Sequence, residues 1–350
     1  MRLVDAFRTQ ILDWTWEEIA PSSGSEPTGN RGGALFTRNG SGVFCLLGGR
    51  SQSGLDRSDL WTFDLGTRVW TQVVSSGLVN VWLPSGYADG SGNIFATTVS
   101  EAWDAFLAST QISKINVSTG AQTFLADSGT GVATGTYGHF AADPSTRTVF
   151  VGRYGTFSYE HGITLVTAVQ DPAVNTTVKT SRTTSGTGRI VASSLAYYPA
   201  GNTLYCVTAP STSSWTLATN CVYKYDLALG TGWVQETGIT NSAGAVGMPG
   251  VTEARTQMIW SATESKFFIF VSGADASCAR VLTYDPVSKV ITQLLFGGTS
   301  PAHILGTYDA AGRIRGNLGT VVESSGQFFF CTCVDLTTLT NARIWRLRRT

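Results

Sequence analysis

Short runs in which apolar and polar residues alternate dominate the chain, and turn-forming residues separate them. The segments "ALFTRNGSGVFCLLGG" and "SDLWTFDLGTRVWTQVV" contain four such runs, rich in aromatic or β-branched residues and bounded by Gly, Asn, Asp or Ser. A period of two is typical of strands that bury one face. We therefore predict four consecutive β-strands over roughly residues 32–75.

The first two strands of this unit recur five more times, for example as "SSLAYYPAGNTLYCVTA" and "TQMIWSATESKFFIFVSG". The second two recur as an apolar strand, a turn built on Asp, Asn, Pro or Gly, and another strand. Asp and Asn suit that turn because their side chains bond the backbone two residues further on. The residues predicted to form the turn before each second strand are Gly42, Gly92, Arg147, Asn202, Ser265 and Gly326.

The last unit ends after its third strand, "ARIWRL", and the chain begins with a strand, "WTWEEIA", that has nothing before it to pair with. Trp16 stands in that first strand where Trp70 and Trp233 stand in fourth strands. We therefore predict that the segment around Trp16 pairs with the segment around Trp345 and completes the last unit. Only a ring lets both ends share one sheet, and closure removes the free edges of an open array.

These observations predict an all-β fold, a six-bladed β-propeller with four-stranded antiparallel blades. Residues 1–13 are predicted to form an N-terminal arm, and residues 14–350 a single propeller. The predicted blades cover roughly 32–75, 79–126, 135–180, 190–238, 254–296, and 316–350 together with 14–20.

The composition and a few local patterns argue against several classes of function. The chain has 24 basic and 24 acidic residues, so a bulk attraction to nucleic acid or to an anionic membrane is not expected. The N-terminus lacks the apolar core of a signal peptide, and no run of about 18 apolar residues predicts a membrane-spanning helix. The six cysteines have no metal-type spacing, and those in apolar runs are expected to pack as buried thiols.

Enzymatic signatures are sparse. With three histidines in the chain, His139, His161 and His303, an imidazole-rich metal centre is difficult to build. The segment "GTGVATG" lacks the Lys-Ser/Thr ending of a phosphate loop. Neither a nucleophile elbow nor paired carboxylates at a defined spacing is present. We therefore expect no enzyme activity, no cofactor and no metal.

The first unit closely resembles a kelch repeat. It has an apolar strand that ends in Gly48-Gly49, a polar loop, an aromatic strand and a spaced tryptophan at Trp70. The match is strong over roughly residues 30–75 and partial in the fourth and fifth units, and the remaining units lack the double glycine. The resemblance implies a kelch-like propeller and leaves the function open, because propellers host catalysts, lectins and scaffolds.

In such a blade the turns after the first and third strands lie on one face of the disc, and the other connections lie on the opposite face. The first set is short here and the second is long, as in 50–58, 100–110, 153–161, 209–220, 238–253 and 297–316. Long connections in a compact fold tend to carry function. The binding residues predicted on this long-loop face are Arg31, Arg57, Trp103, Arg153, Tyr154, His161, Arg182, Trp215, Arg255, Arg313 and Arg315.

The amino-acid composition of the chain is poor in Lys and rich in Ser, Thr and Gly, and in this it resembles bacteriophage tail and virion proteins. We therefore expect a structural or interaction component of a virion that contributes to assembly or host attachment. Other subunits of the assembly are the expected partners, and a host surface glycan or receptor is a further candidate. One alternative is a lectin-like propeller in which loop aromatics such as Trp103, Tyr154 and Trp215 stack on sugars. Another is a cytoplasmic kelch-type adaptor.

Overall fold

The structure is a computed structural model of the chain. It describes residues 13–28, 34–40, 42–49, 57–79, 85–98, 111–128, 138–143, 148–154, 163–171, 176–183, 195–207, 222–230, 234–241, 256–272, 278–301, 307–308, 314–315, 321–332 and 342–350. The predicted arm, apart from its last residue Asp13, lies outside the described residues.

The described strands form successive sheets along the chain. The first strand, β1, covers Trp14–Ile19 and belongs to the last sheet. Blade I contains β2 (Leu35–Arg38), β3 (Val43–Leu47), β4 (Leu60–Asp64) and β5 (Val69–Val74). Blade II contains β6 (Ser85–Ala88), β7 (Asn93–Thr98), β8 (Gln111–Asn116) and β9 (Gln122–Phe124). The next sheet, called the middle sheet, contains β10 (Ala126–Ser128), β11 (Gly138–Asp143), β12 (Thr148–Tyr154), β13 (Ile163–Asp171) and β14 (Thr176–Thr183).

The second half continues in the same order. Blade III contains β15 (Leu195–Tyr198), β16 (Thr203–Val207), β17 (Val222–Asp226) and β18 (Val234–Gln235), with a 3-10 turn at Pro199–Gly201. Blade IV contains β19 (Thr240–Asn241), β20 (Thr256–Ser261), β21 (Lys266–Ser272), β22 (Cys278–Asp285) and β23 (Val290–Gln293). Blade V contains β24 (Phe296–Gly297), β27 (Val322–Ser324), β28 (Gln327–Thr332), β29 (Arg343–Arg349) and β1, and a separate hairpin contains β25 (Thr307–Tyr308) and β26 (Ile314–Arg315).

The sheets are arranged as a β-propeller. Their innermost strands lie next to one another in chain order, β2 beside β6, β6 beside β11, β11 beside β15 and β15 beside β20, and β27 returns to lie beside β2. Aromatic side chains pack between blades IV and V and between blades V and I. Phe268 of blade IV packs on Phe328 of blade V at 4.1 Å between ring centroids, and Phe44 of blade I packs on Phe329 at 4.7 Å. Burial of these rings holds neighbouring blades together.

The predicted closure of the ring is confirmed. Strand β1 pairs antiparallel with β29, so that Trp16 lies opposite Leu347 and Glu18 opposite Trp345. Trp14 and Trp16 are buried with Phe328 and Phe330 in one cluster. The two ends of the chain therefore share one sheet.

The predicted four-stranded antiparallel arrangement is confirmed in blades I to V, but the predicted number of six blades is wrong, because the structure gives five. The middle sheet lies between blades II and III. In addition, three sheets contain a fifth strand that pairs in parallel: β10 on β14, β19 on β23 and β24 on β1.

The parallel fifth strands share one physical origin. Each belongs to the segment that leaves one sheet for the next, and it runs along the outermost strand of the sheet it is about to enter. Blade I has a shorter version, where Ser23 bridges Val69 and the Ser22 N–H donates to Arg68 O at 2.8 Å. Exposed outer edges invite pairing with other chains, and these segments cover part of them. Parts of the connections that we predicted to lie on the long-loop face therefore lie on the outer rim.

Candidate interaction surfaces

The short-turn face is built from turns at the predicted positions. Five of the six residues that we predicted for the turns before second strands are described, and all five have positive φ angles: Gly42 (82°), Gly92 (95°), Asn202 (46°), Ser265 (51°) and Gly326 (74°). A tight turn needs this left-handed conformation, which Gly adopts without cost and Asn tolerates. Arg147 lies outside the described residues.

A second turn repeats on the same face, after the third strand of blades I to IV. Its first residue is Asp64, Asn116, Asp226 or Asp285, whose side-chain oxygen accepts backbone N–H groups two and three residues further on. Its fifth residue donates its own N–H to the carbonyl of the first, at 2.7 to 2.9 Å. The predicted role of Asp and Asn in this turn is confirmed. These bonds hold the pKa of Asp64 below its usual range, chiefly through the backbone N–H and hydroxyl of Thr67.

Hydrogen bonds also link the short turns to one another. Within a blade, the Leu65 N–H donates to Gly42 O at 2.7 Å, and the Val117 N–H donates to Gly92 O at 2.8 Å. Between blades I and II, the Gly92 N–H donates to Asn39 Oδ1 at 3.1 Å. The short turns of blades I and II are therefore joined into one hydrogen-bonded surface.

The opposite face is described best at the base of the long loop of blade I. Gly48 and Gly49 have φ angles of 61° and 101°, and the Arg57 N–H donates to Gly49 O at 2.8 Å, which closes the base of the loop 50–56. Buried Asp59 accepts a hydrogen bond from Trp61 Nε1 at 2.9 Å. Arg57, a predicted binding residue, is half-buried at this base and is the one predicted binding residue whose side chain is described. The sequence analysis missed Asp59, although an acid directly before an aromatic strand was a visible signal.

Three further predicted residues come together at one end of the middle sheet. Arg153 and Tyr154 end β12, and Arg182 is the penultimate residue of β14. The register places Arg153 opposite Thr164, Thr164 opposite Thr183, and Arg182 opposite Leu165, so the three lie within neighbouring rows. The connection 155–162 leaves from this end, as the loop 50–56 leaves blade I.

Arg315 is the remaining predicted residue that the structure describes. It lies in β26, opposite Thr307, in the two-stranded hairpin that follows β24 in the chain. The following predicted residues lie outside the described part of the chain: Arg31, Trp103, His161, Trp215, Arg255 and Arg313.

A charge network fixes the two terminal strands to each other. Glu17 of β1 accepts from Arg346 Nη2 at 2.7 Å and from Arg348 Nε at 3.0 Å, and these bonds hold the pKa of Glu17 below its usual range. Arg349 lies over the Trp14 ring at 5.3 Å and binds both carboxylate oxygens of Glu264 on blade IV. The network serves ring closure.

A second charge cluster lies between blades III and IV. Glu236 is 3% exposed and forms ion pairs with Lys289 Nζ at 2.8 Å and Lys224 Nζ at 3.1 Å, while Lys289 also donates to Thr237 O. Burial alone would raise the pKa of Glu236, but the two lysines outweigh it and the net direction is down. Nearby Tyr205 has its pKa raised to about 12, first by burial and then by the charge of Glu236. The sequence analysis missed this cluster because its members are far apart in the chain.

Other chemistry is limited among the residues that the structure describes. In that part of the chain no group of three or more His, Cys, Asp or Glu is placed to hold a metal ion. Cys45, Cys206 and Cys331 are buried, and burial raises the pKa of Cys45 to about 12. Within the described ranges, no helix has the length and apolar character needed to cross a membrane.

Comparisons with known proteins give a structural similarity. No protein-family model matches the sequence, and no curated protein matches it. Among solved structures the chain is similar to TolB from Acinetobacter baumannii, with 12% identity and a TM-score of 0.45 over 89% of this chain. The alignment covers 66% of the TolB chain, just under two thirds of its length. The likeness to kelch repeats and to phage proteins stays a resemblance in sequence.

Proposed function

We propose that the protein is a non-catalytic interaction module that binds other proteins of a larger assembly through its long-loop face. The observation that carries the proposal is the contrast between the two faces. On one face, repeated turns bond to each other and present short, closed tips. On the other, the long connection 50–56 leaves from a base that is closed by the hydrogen bond from the Arg57 N–H to Gly49 O. A rigid disc that presents long loops is typical of binding scaffolds.

The partial covering of the outer rim supports this assignment. Exposed sheet edges bind extended peptides by adding a strand. Here β10, β19 and β24 occupy such edges with segments of the same chain. Side chains of the faces are therefore better placed to make contacts than the outer backbone edges that these segments cover.

The finer proposal is that the assembly is a bacteriophage virion, with the propeller in the tail, where it contributes to assembly or host attachment. It rests on the composition of the chain, poor in Lys and rich in Ser, Thr and Gly. Mass spectrometry of virions purified from the cell that makes this protein tests it. Detection at a fixed ratio to other tail subunits is expected, and absence from purified virions would overturn the virion assignment.

The face used for binding is tested separately by site-specific photo-crosslinking. A benzophenone side chain replaces Ser53 in the loop 50–56, and in a matched control it replaces Ser118, an exposed residue of the short-turn face of blade II. We expect crosslinks to neighbouring subunits from position 53 in the intact assembly and none from position 118. Crosslinks from position 118 alone would contradict binding through the long-loop face.

A further inference from the structure

The strand register of the middle sheet places three residues with polar functional groups on one face, near the end from which the connection 155–162 leaves. One row across its four antiparallel strands contains His139 (β11), Gly152 (β12), Leu165 (β13) and Arg182 (β14). Residues of one row, and residues two apart along a strand, belong to the same face of a sheet. Tyr154, two residues beyond Gly152, therefore shares this face. We call His139, Tyr154 and Arg182 the β11–β14 site.

A described side chain identifies which face of the middle sheet this is. Ala141 lies two residues from His139 on β11 and is 6% exposed. It belongs to one buried cluster with four residues of blade III, namely Leu195, Leu204, Cys206 and Tyr225. The β11–β14 site therefore lies on the face of the middle sheet that packs on blade III.

The side of blade III that meets this face is uncharged in its described part. The residues of blade III in the shared cluster, or packed against it, are Leu, Cys and Tyr, and Gln235 belongs to the same side because it lies opposite Tyr223. Glu236 and Lys224 alternate with these residues, and their ion pairs lead to Lys289 of blade IV, on the other side of blade III. Blade III therefore presents an uncharged wall to the middle sheet.

The acidic residues described on the face of the β11–β14 site lie toward the other end of the sheet. Asp143 follows His139 by four residues on β11, and Asp171 follows Leu165 by six residues on β13. At about 3.3 Å per residue these pairs are about 13 Å and about 20 Å apart along the strands. Both separations exceed the Debye length of about 8 Å at physiological ionic strength. Among the described residues of the two facing sides, Arg182 is therefore the one charged residue at this end.

Four connections begin or end at the same end of these two sheets: 129–137, 155–162, 184–194 and 208–221. They lie outside the described residues. Their sequences contain one cation, Arg189, and one acid, Glu160. With Arg182 this makes two arginines against one glutamate, so the charge at this end is positive when the connections are counted.

We propose that the β11–β14 site binds a carboxylate side chain of a partner protein. A guanidinium binds a carboxylate through two parallel hydrogen bonds, and tyrosine and histidine supply further donors. The uncharged wall of blade III strengthens a charge pair formed beside it, because less water screens the pair. The inference deepens the proposed function, on which it rests, by naming the chemistry of the partner and the boundary between sheets that it meets.

The amount of charge favours a single carboxylate over a polyanion. A nucleic acid or a sulfated polysaccharide binds through several cations along its path. The described part of this face offers Arg182 alone at the end in question. One acidic side chain, inserted by a neighbouring subunit, matches that charge.

A peptide selection tests the proposal and does not require the partner to be identified. A random peptide library is selected on the full-length protein and counter-selected on the variant Arg182→Gln. We expect the recovered peptides to share an Asp or Glu at one fixed position. Replacing that acid by its amide, or Arg182 by Gln, should raise the Kd at least about tenfold, because either change leaves one charge without its partner. Fluorescence anisotropy measures the Kd.

Two other cations of the same sheet provide matched controls. Lys179 lies on β14, three residues from Arg182, and Arg153 lies on β12 in the next row, so alternation places both on the opposite face. Lys179→Gln should leave the Kd unchanged, and Arg153→Gln should raise it less than Arg182→Gln does. Arg182→Lys keeps the charge but loses the paired hydrogen bonds, so we expect an intermediate Kd. Circular dichroism verifies the fold of each variant.

The unsubstituted protein gives a readout that does not depend on the folding of variants. Phenylglyoxal modifies accessible arginines, and mass spectrometry gives the extent of modification at each one. We expect a bound acidic peptide to slow the modification of Arg182 and to leave that of Arg153 unchanged.

Other outcomes would overturn the proposal. These are recovered peptides without a shared acid, an unchanged Kd in Arg182→Gln, equal losses in Arg182→Gln and Arg153→Gln, a concentration-dependent dimer that Arg182→Gln loses, and binding of carboxylated glycans in place of acidic peptides. The photo-crosslinking at position 53 is independent of this selection. Crosslinks from position 53 without acidic peptides would refute the β11–β14 site alone, and acidic peptides without crosslinks from position 53 would remove the loop of blade I from the interface.

Discussion

Blades II and III close their outer hairpins with the same turn but use its side chains differently. In blade II, Asn116 accepts two backbone N–H groups and also the hydroxyl of Thr119. In blade III, Asp226 accepts two backbone N–H groups, and Leu229 stands in the place of Thr119, 70% exposed.

The difference shows which part of the turn the fold requires. The backbone hydrogen bonds to the first residue are present in both blades, so they define the turn. The fourth residue is free to serve either the turn or the surface. Blade III gives up a local hydrogen bond and adds the ion cluster around Glu236, which ties it to Lys289 of blade IV. A repeat protein can thus change one surface while it keeps its architecture.

The largest effect should come from removing both cations around Glu236. The double variant Lys224→Met/Lys289→Met leaves a buried carboxylate without its two ion-pair partners, and we expect a loss of about 3–5 kcal/mol in the free energy of unfolding at pH 7. Urea denaturation measures it. Adding Glu236→Gln removes the buried charge and should recover most of the loss. A double variant as stable as the parent would show that the cluster contributes nothing to the blade III–IV contact.

The double variant Lys224→Met/Lys289→Met should also reverse the pH dependence of the free energy of unfolding. In the parent, the lowered pKa of Glu236 means that its contribution to stability is complete above the unfolded pKa and is lost as the pH falls through the folded pKa. Without the lysines, burial raises that pKa, so the variant should lose stability as the pH rises through the unfolded pKa toward the folded one. Urea denaturation between pH 3 and pH 8, roughly the range in which a carboxyl titrates, measures both slopes. Parallel profiles for parent and variant would contradict the assignment.

We expect an intermediate loss of stability from removing the side-chain acceptor at the first turn position, which is present in both blade II and blade III. Asn116→Ala deletes the acceptor of two backbone N–H groups and one hydroxyl, and we expect a loss of about 1–2 kcal/mol, as for a helix N-cap. Asp226→Ala deletes the acceptor of two N–H groups, so we expect a loss of about 1 kcal/mol. Thermal denaturation compares the two. A larger loss in blade III than in blade II would mean that the threonine hydroxyl adds nothing to the turn.

The sequence predicted the parts of this architecture that repeat. Gly42, Gly92 and Asn202 were placed correctly at left-handed turns because each stands between two strand-like runs at one spacing. Trp16 was placed correctly beside the last strand because it matches Trp70, which lies in the fourth strand of blade I. Local pattern and repetition were sufficient for both.

The features that do not repeat could not be predicted in this way. The parallel strands Thr240–Asn241 and Phe296–Gly297 are too short to show a period and depend on packing against the next sheet. The pairing of Glu236 with Lys289 joins two blades and appears only when they lie side by side. Leu229 was visible in the sequence as the one apolar residue at its turn position, and aligning the turns of blades I to IV would have revealed it.

We expect a smaller effect, a gain in stability, from giving the outer hairpin of blade III the turn residue of blade II. Leu229→Thr supplies a hydroxyl that can donate to Asp226, as Thr119 donates to Asn116. We expect a gain of about 0.5–1 kcal/mol in the free energy of unfolding, the usual contribution of one hydrogen bond. The reciprocal change Thr119→Leu should cost a similar amount, and both are measured by urea denaturation. A stabilising Thr119→Leu would mean that leucine is the better residue at this turn position and that the threonine hydroxyl does not stabilise the turn.

The smallest effect concerns the fifth turn position, where Gly120 and Gly230 have their counterparts in Arg68 and Lys289. Arg68 and Lys289 have φ angles of 56° and 58°, a conformation that costs a residue with a Cβ more than it costs glycine. Arg68→Gly should therefore be neutral or stabilising by up to about 0.5 kcal/mol, because relief of strain is offset by the entropy of glycine in the unfolded chain. Lys289→Gly relieves the same strain but removes an ion pair from Glu236 and should be destabilising. Urea denaturation of the two variants separates backbone strain from the contribution of the side chain. Equal changes in the free energy of unfolding would show that the Lys289 side chain adds nothing to stability.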